Sequence, residues 1–243
     1  GSGIYGKLGD GVVQSINTTA QPVTGLATGV SDVRVGGNHV CALTVGGGVR
    51  CWGRNTEGQL GDGSFGVALT PTTVSNLTGA AKIAAGGFHA CSVSPAGGLK
   101  CWGSNSQGTM ANGTTSPVPQ TSPLDISSVA GPIGTVALGL AHSCVTTTSN
   151  QLQCWGGNGS GQVGDGTTVA RTAPVAVTGL ATASSASGAY SHSCAVTTTG
   201  GAKCWGAGQF GQLGVGGPGW PSPNACAPGR RERWGERIRR GGA

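Results

Sequence analysis

Short apolar stretches of four to six residues recur along the chain, each cut off by glycine, proline or a Ser/Thr cluster. C-A-L-T (41–44) and V-R-C-W (49–52) are two such stretches, with one tight turn between them. Their length and β-branched content predict a hairpin. The residue one past the centre of this turn is Gly47, Gly97, Asn150 or Gly200 in four successive copies. Gly and Asn enter the left-handed backbone region at low cost, as the third position of a three-residue hairpin loop demands. Pro95 at the first loop position of the second copy suits the same turn. A proline-led stretch follows each hairpin, such as P-T-T-V-S-N-L (71–77), and reads as an edge strand. A further strand begins near Val33, Ile83, Val136 and Ala186 and leads into a histidine. Each unit therefore supplies four short antiparallel strands.

The units repeat. G-G-N-H-V-C (36–41), G-G-F-H-A-C (86–91), G-L-A-H-S-C (139–144) and A-Y-S-H-S-C (189–194) align, and all four histidines of the chain fall at this one position. A Cys-Trp-Gly follows each at a fixed interval, starting at Cys51, Cys101, Cys154 and Cys204, so the period is 50, 53 and 50 residues. A glycine box closes each unit: G-Q-L-G-D-G (58–63), G-T-M-A-N-G (108–113), G-Q-V-G-D-G (161–166) and G-Q-L-G-V-G (211–216). A fifth box, G-K-L-G-D-G (6–11), opens the chain. One four-stranded unit cannot bury both of its faces, so neighbours must stack, and radial stacking gives a β-propeller. The expected fold is all-β, a partial, open propeller of about five blades. The organisation expected is a partial blade over 1–32, repeats near 33–82, 83–135, 136–185 and 186–216, and a disordered Pro/Arg-rich tail over 217–243.

Composition agrees with this and removes other classes. Glycine makes up 49 of 243 residues and charged residues only 9%, which fits neither a helix bundle nor a highly charged disordered chain. The charge of +6 is misleading, because the last 14 residues hold six Arg against two Glu. The rest is nearly neutral with scattered basic residues, so no footprint for a nucleic acid is expected. No run of about 20 apolar residues is present to span a membrane. Because the sequence opens Gly1-Ser2-Gly3 and its single methionine is Met110, it reads as part of something longer.

H-x-C-A-L-T followed by C-W-G-x-N-x-x-G-Q-L-G-D-G resembles the regulator of chromosome condensation repeat family, and the likeness covers residues 1 to about 216. The resemblance implies a propeller, usually of about seven blades. Its members include a nucleotide exchange factor for a nuclear GTPase, a plant ultraviolet receptor, a secreted β-lactamase inhibitor and bacterial surface proteins. Such a fold does not by itself choose a function. Three features depart from the pattern: Met110-Ala111-Asn112 in the second box, Gly208 where Asn55, Asn105 and Asn158 stand elsewhere, and the loss of the repeat beyond Gly216.

Candidate chemistry is sparse. His39, Cys41 and Cys51 offer three zinc ligands but no fourth in any copy. His39, His89, His142 and His192 are expected instead as buried, hydrogen-bonded packing residues, as the resemblance implies. The cysteine pairs Cys41–Cys51, Cys91–Cys101, Cys144–Cys154 and Cys194–Cys204 have two readings, small buried thiols or cross-strand disulfides. Counting outward from the loop makes 41/51 a non-hydrogen-bonded pair, the kind in which side chains come closest, so disulfides are expected, with Cys226 unpaired. Trp52, Trp102, Trp155 and Trp205, at one fixed position, are expected to pack blades rather than to stack a ligand or absorb light. Asp10, Asp62 and Asp165 sit in glycine turns without the acidic density of a calcium loop. No catalytic residue, metal or cofactor is expected.

The function expected is a non-enzymatic scaffold that binds a protein or a glycan, as a module of a secreted or cell-surface bacterial protein. The alternatives are a secreted enzyme inhibitor, set apart from such a scaffold by whether one loop rim carries an aromatic patch, and a nucleotide-exchange regulator of a GTPase, which would need a reduced, intracellular chain. An open arc leaves blade ends that either self-associate or require the missing blades.

Overall fold

The computed structural model describes residues 1–214 and the backbone of 222–226. Four four-stranded sheets are built in sequence order. The first blade holds β1 (Val30–Val35), β2 (His39–Thr44), β3 (Val49–Gly53) and β4 (Ala68–Thr73). The second holds β5 (Lys82–Ala85), β6 (His89–Val93), β7 (Leu99–Asn105) and β8 (Ser116–Asp125). The third holds β9 (Ile133–Leu138), β10 (His142–Thr147), β11 (Leu152–Gly156) and β12 (Arg171–Ala176). The fourth holds β13 (Ala183–Gly188), β14 (His192–Thr197), β15 (Ala202–Gly206) and β16 (Ser222–Cys226). Every neighbouring pair is antiparallel.

The hairpin register follows from its loop. Gly47, Gly97, Asn150 and Gly200 take positive φ of 75°, 83°, 64° and 84°. Thr44 N–H donates to the Gly48 carbonyl at 2.8 Å, which makes 44/48 a bonded pair and places Cys41 opposite Cys51.

First strands line the propeller axis and pack in series, β1 on β5, β5 on β9 and β9 on β13. The arc is open: Val33 and Val35 at its start are 48% and 72% exposed. Residues 1–29 add an incomplete fifth unit, a short 3₁₀ turn at Ile4–Gly6 and a glycine box, with Val23 and Leu26 packed on the cluster of Val40, Ala42 and Trp52.

One segment differs from the sequence expectation. Residues 222–226, assigned above to the tail, form β16, with Gly206 opposite Ser222 and Cys204 opposite Cys226. They fill the edge position held by β4, β8 and β12, and Pro223 stands in this strand as Pro71 does in β4 and Pro174 in β12. An edge strand is stabilised by the ladder its neighbour offers, so it forms without an apolar period of its own. The rest of the expected tail lies outside the described residues, as does the Cys226 side chain.

Candidate functional site

Strand alternation sorts the loops into two faces. Turns between first and second strands gather with the glycine boxes, as the Arg54 N–H to Asn38 carbonyl bond of 2.9 Å shows. Hairpin loops gather on the opposite face with the connectors between blades, where Ala80 N–H donates to the Gly47 carbonyl at 2.9 Å.

Between the faces, each joint is made from the same parts. The indole N–H of each tryptophan donates to a box carbonyl of the preceding unit. The pairs are Trp52 to Lys7 (2.9 Å), Trp102 to Gln59 (3.0 Å), Trp155 to Thr109 (2.8 Å) and Trp205 to Gln162 (2.9 Å). The box glycine lets the ring in: a Cβ on Gly61 would sit 2.7 Å from Trp102, and one on Gly164 2.6 Å from Trp205. In the second box Ala111 holds this place at a positive φ of 49°, which strains a residue with a Cβ. The four indoles are therefore buried in the joints and not exposed as stacking platforms.

The histidines reach forward across the same joints. His89 Nε2 lies 2.9 Å from Ser143 Oγ, and His142 Nε2 lies 2.8 Å from Ser193 Oγ. Ser193 spends its proton on the Gln162 carbonyl at 2.9 Å, so it accepts from His142, and the imidazole proton sits on Nε2. His39 finds Ala90 at the serine position, and neither of its ring nitrogens has a partner. Burial pushes His39 and His142 down to about 4, and His89 to about 3, where neighbouring His142 and His39 add repulsion. These imidazoles are neutral at pH 7. The His–Ser pairs are fully buried and Nδ1 of His89 and His142 has no orienting partner, so they lack the access and alignment of a nucleophile and base.

The cysteines meet as the register requires. Cys41–Cys51, Cys91–Cys101 and Cys144–Cys154 are bonded with Cα atoms 4.1 Å apart, and Cys194–Cys204 with Cα atoms 4.0 Å apart. No cluster of three His, Cys, Asp or Glu side chains that could hold a metal occurs among the described residues. The box aspartates tie their own turns. Asp62 accepts from Ser64 N–H at 2.9 Å and from Asn55 Nδ2 at 3.2 Å, and Asp165 accepts from Thr167 N–H at 3.0 Å and from Asn158 Nδ2 at 3.1 Å. Burial works to raise the Asp165 carboxyl, yet the hydrogen bonds from Arg171 and Thr167 together hold it below the usual carboxylate range.

What single positions concealed is an asymmetry of faces. Tyr5, Phe65, Tyr190 and Phe210 are all exposed, Phe88 is half-buried, and every one lies on the box face. Tyr5 carries the Arg54 guanidinium 5.6 Å from its ring centre. Among the described residues the hairpin face has no aromatic side chain. Each of these residues falls at a loop position that varies between copies, and that variation was the available signal.

Models of the regulator of chromosome condensation (RCC1) repeat match residues 30–59, 80–109, 135–162 and 186–212, and, for the longer form, 46–93 and 150–196. The chain belongs to this family. It is 34% identical over 182 residues to the probable E3 ubiquitin-protein ligase HERC4 of rat and of mouse, covering 74% of this chain and 17% of each relative. Among solved structures it resembles Prp20p of Saccharomyces cerevisiae, with a TM-score of 0.80, 21% identity, and coverage of 89% of this chain and 54% of that one. It also resembles human WBSCR16, with a TM-score of 0.83, 23% identity, and coverage of 95% and 61%. These likenesses show the fold.

Proposed function

We propose that this RCC1-repeat propeller is a non-enzymatic scaffold that binds a protein partner through its box face. The observation that carries the reading is the gathering of exposed Tyr5, Phe65, Tyr190 and Phe210 on one face. Aromatic side chains supply much of the energy of protein interfaces, and a rigid sheet scaffold holds them at little entropic cost. Two observations weigh against a catalytic role: the His–Ser pairs are shut away from solvent, and the box aspartates are committed to their turns. The related Prp20p has been studied for binding to Gsp1p and histones, and a protein partner here extends that behaviour to this chain.

The four disulfides favour an oxidising compartment, outside the cell or at its surface. They count against nucleotide exchange in a reduced cytosol, and the aromatic rim suits an enzyme inhibitor as one form of protein binder. A bacterial source, and a glycan as the partner, rest on the resemblance and on general precedent alone.

The test compares two sets of substitutions. Phe65→Ala, Tyr190→Ala and Phe210→Ala together should keep the thermal midpoint and weaken partner capture from native extracellular extract at least about tenfold. Changing Val45, Thr148 and Thr198 on the hairpin face to Asp should leave capture intact. The reverse pattern, or equal loss from both sets, would sink the reading.

A further inference from the structure

Two cations break the repeat at one joint. The second residue of the glycine box is Gln59, Thr109, Gln162 or Gln212 in the later units and Lys7 in the first. The residue after Cys-Trp-Gly is Ser104, Gly157 or Ala207 in the later blades and Arg54 in the first. Neither cation serves the joint itself. The main-chain bond of Arg54 to the Asn38 carbonyl recurs from Ser104 to Phe88 (2.9 Å), Gly157 to Ala141 (2.7 Å) and Ala207 to Ser191 (2.8 Å), whatever the side chain. In the box, Gln59, Gln162 and Gln212 each accept the N–H two residues back at 2.8 Å. A lysine has no acceptor, so the first unit gives this bond up.

Both cations meet at Asn38. Lys7 Nζ lies 3.3 Å from its Oδ1, and Arg54 is bonded through the main chain to its carbonyl at 2.9 Å. The Arg54 guanidinium sits 5.6 Å from the centre of the exposed Tyr5 ring and donates to Thr56 Oγ1 at 2.8 Å. Asp10, the carboxylate of the same box, is spent on Gln14 Nε2 at 2.9 Å and Val12 N–H at 3.1 Å. Among the described residues neither cation forms an ion pair. We infer that this end of the box face anchors an acidic segment of the protein partner, its carboxylates at Lys7 and Arg54 and an apolar side chain against Tyr5. The inference rests on the box-face reading and adds the chemistry of the partner. Charge complementarity chooses the occupant, because two like charges gathered at one asparagine repel and a carboxylate relieves that repulsion. A guanidinium held by a ring and a hydroxyl is oriented before the partner arrives, so little freedom is lost on pairing.

The probe is a dye-labelled peptide of alternating Asp and Glu with one central Phe, followed by fluorescence anisotropy against the full chain. Lys7→Gln and Arg54→Ser together install residues that other joints already hold, so the thermal midpoint should stay in place. The pair should weaken peptide binding at least about tenfold. Phe65→Ala with Phe210→Ala should leave the peptide affinity unchanged. The peptide assay reads the cations and partner capture reads the aromatic rim, so the two readings can fail separately. Unchanged binding by the double variant would place the peptide elsewhere, on the arginine-rich C-terminal segment for one, and would overturn the inference. An oligothymidylate of matched charge that binds as tightly and responds to the same pair would also overturn it, since the patch would then read phosphate.

Discussion

The joint between the first and second blades and the joint between the third and fourth follow one plan and differ in one polar link. Each buries a tryptophan whose N–H meets a glutamine carbonyl, at 3.0 Å in one and 2.9 Å in the other. Each buries a histidine stripped of charge. In the later joint Ser193 links His142 to the Gln162 carbonyl, whereas in the earlier joint Ala90 leaves both nitrogens of His39 without a partner. The large apolar contacts therefore hold the repeat, and one polar link can be lost without loss of the architecture. An orphaned buried group costs about 1–3 kcal/mol, which a blade-sized apolar contact can carry.

Acid should erase the difference, and with the largest effect. A histidine held near 4 or 3 in the folded chain and near 6.5 when unfolded gives the unfolded state more bound protons throughout that interval. Stability is then full above about pH 6.5 and falls as pH drops toward 4. At about pH 5 each of the three imidazoles contributes a loss of up to roughly 2 kcal/mol. Urea unfolding at stepped pH should show this fall, and a flat profile from pH 7 to 5 would contradict the buried, neutral row.

Ser193→Ala should turn the later joint into a copy of the earlier one. It strands the His142 N–H and removes a bond to the Gln162 carbonyl, so stability should fall by about 1–3 kcal/mol. For a chain of this length the thermal midpoint should drop by roughly 2–4 °C per kcal/mol. Thr148→Ala, at an exposed hairpin-loop position away from the joints, is the control. An equal drop from both would deny the joint its special role.

The difference between the joints stood in plain sight in the sequence, as Val40, Ala90, Ser143 and Ser193 after the four histidines. It was not legible there, because each serine's partner lies 51 or 54 residues earlier, in another blade. Contacts within one repeat were legible, since a fixed interval of ten residues and a turn residue of positive φ fix the register of Cys41 and Cys51. Tryptophan burial was legible from its fixed position, but its carbonyl acceptor was not. The β16 strand escaped because it borrows its order from β15. The rim aromatics escaped because Phe65, Tyr190 and Phe210 share no repeat position, and only the folded chain brings them to one face.

The smallest effect is the most discriminating, because it runs in the stabilising direction. Ala90→Ser should give the earlier joint what the later one has. The hydroxyl would accept from His39 Nε2 and donate to the Gln59 carbonyl, as Ser193 does between His142 and Gln162. Ala90 is fully buried, so added bulk could strain the site. The third and fourth blades house a serine at this position in the same backbone setting, which argues that one oxygen fits. Satisfying one buried nitrogen should add about 1 kcal/mol and raise the thermal midpoint by roughly 2–4 °C. In the first blade the same position is Val40, and the incomplete unit before it brings no histidine. Val40→Ser should therefore stabilise nothing and lose apolar burial. A gain at both positions, or a loss at Ala90, would mean that the hydroxyl is not the element that separates the two joints.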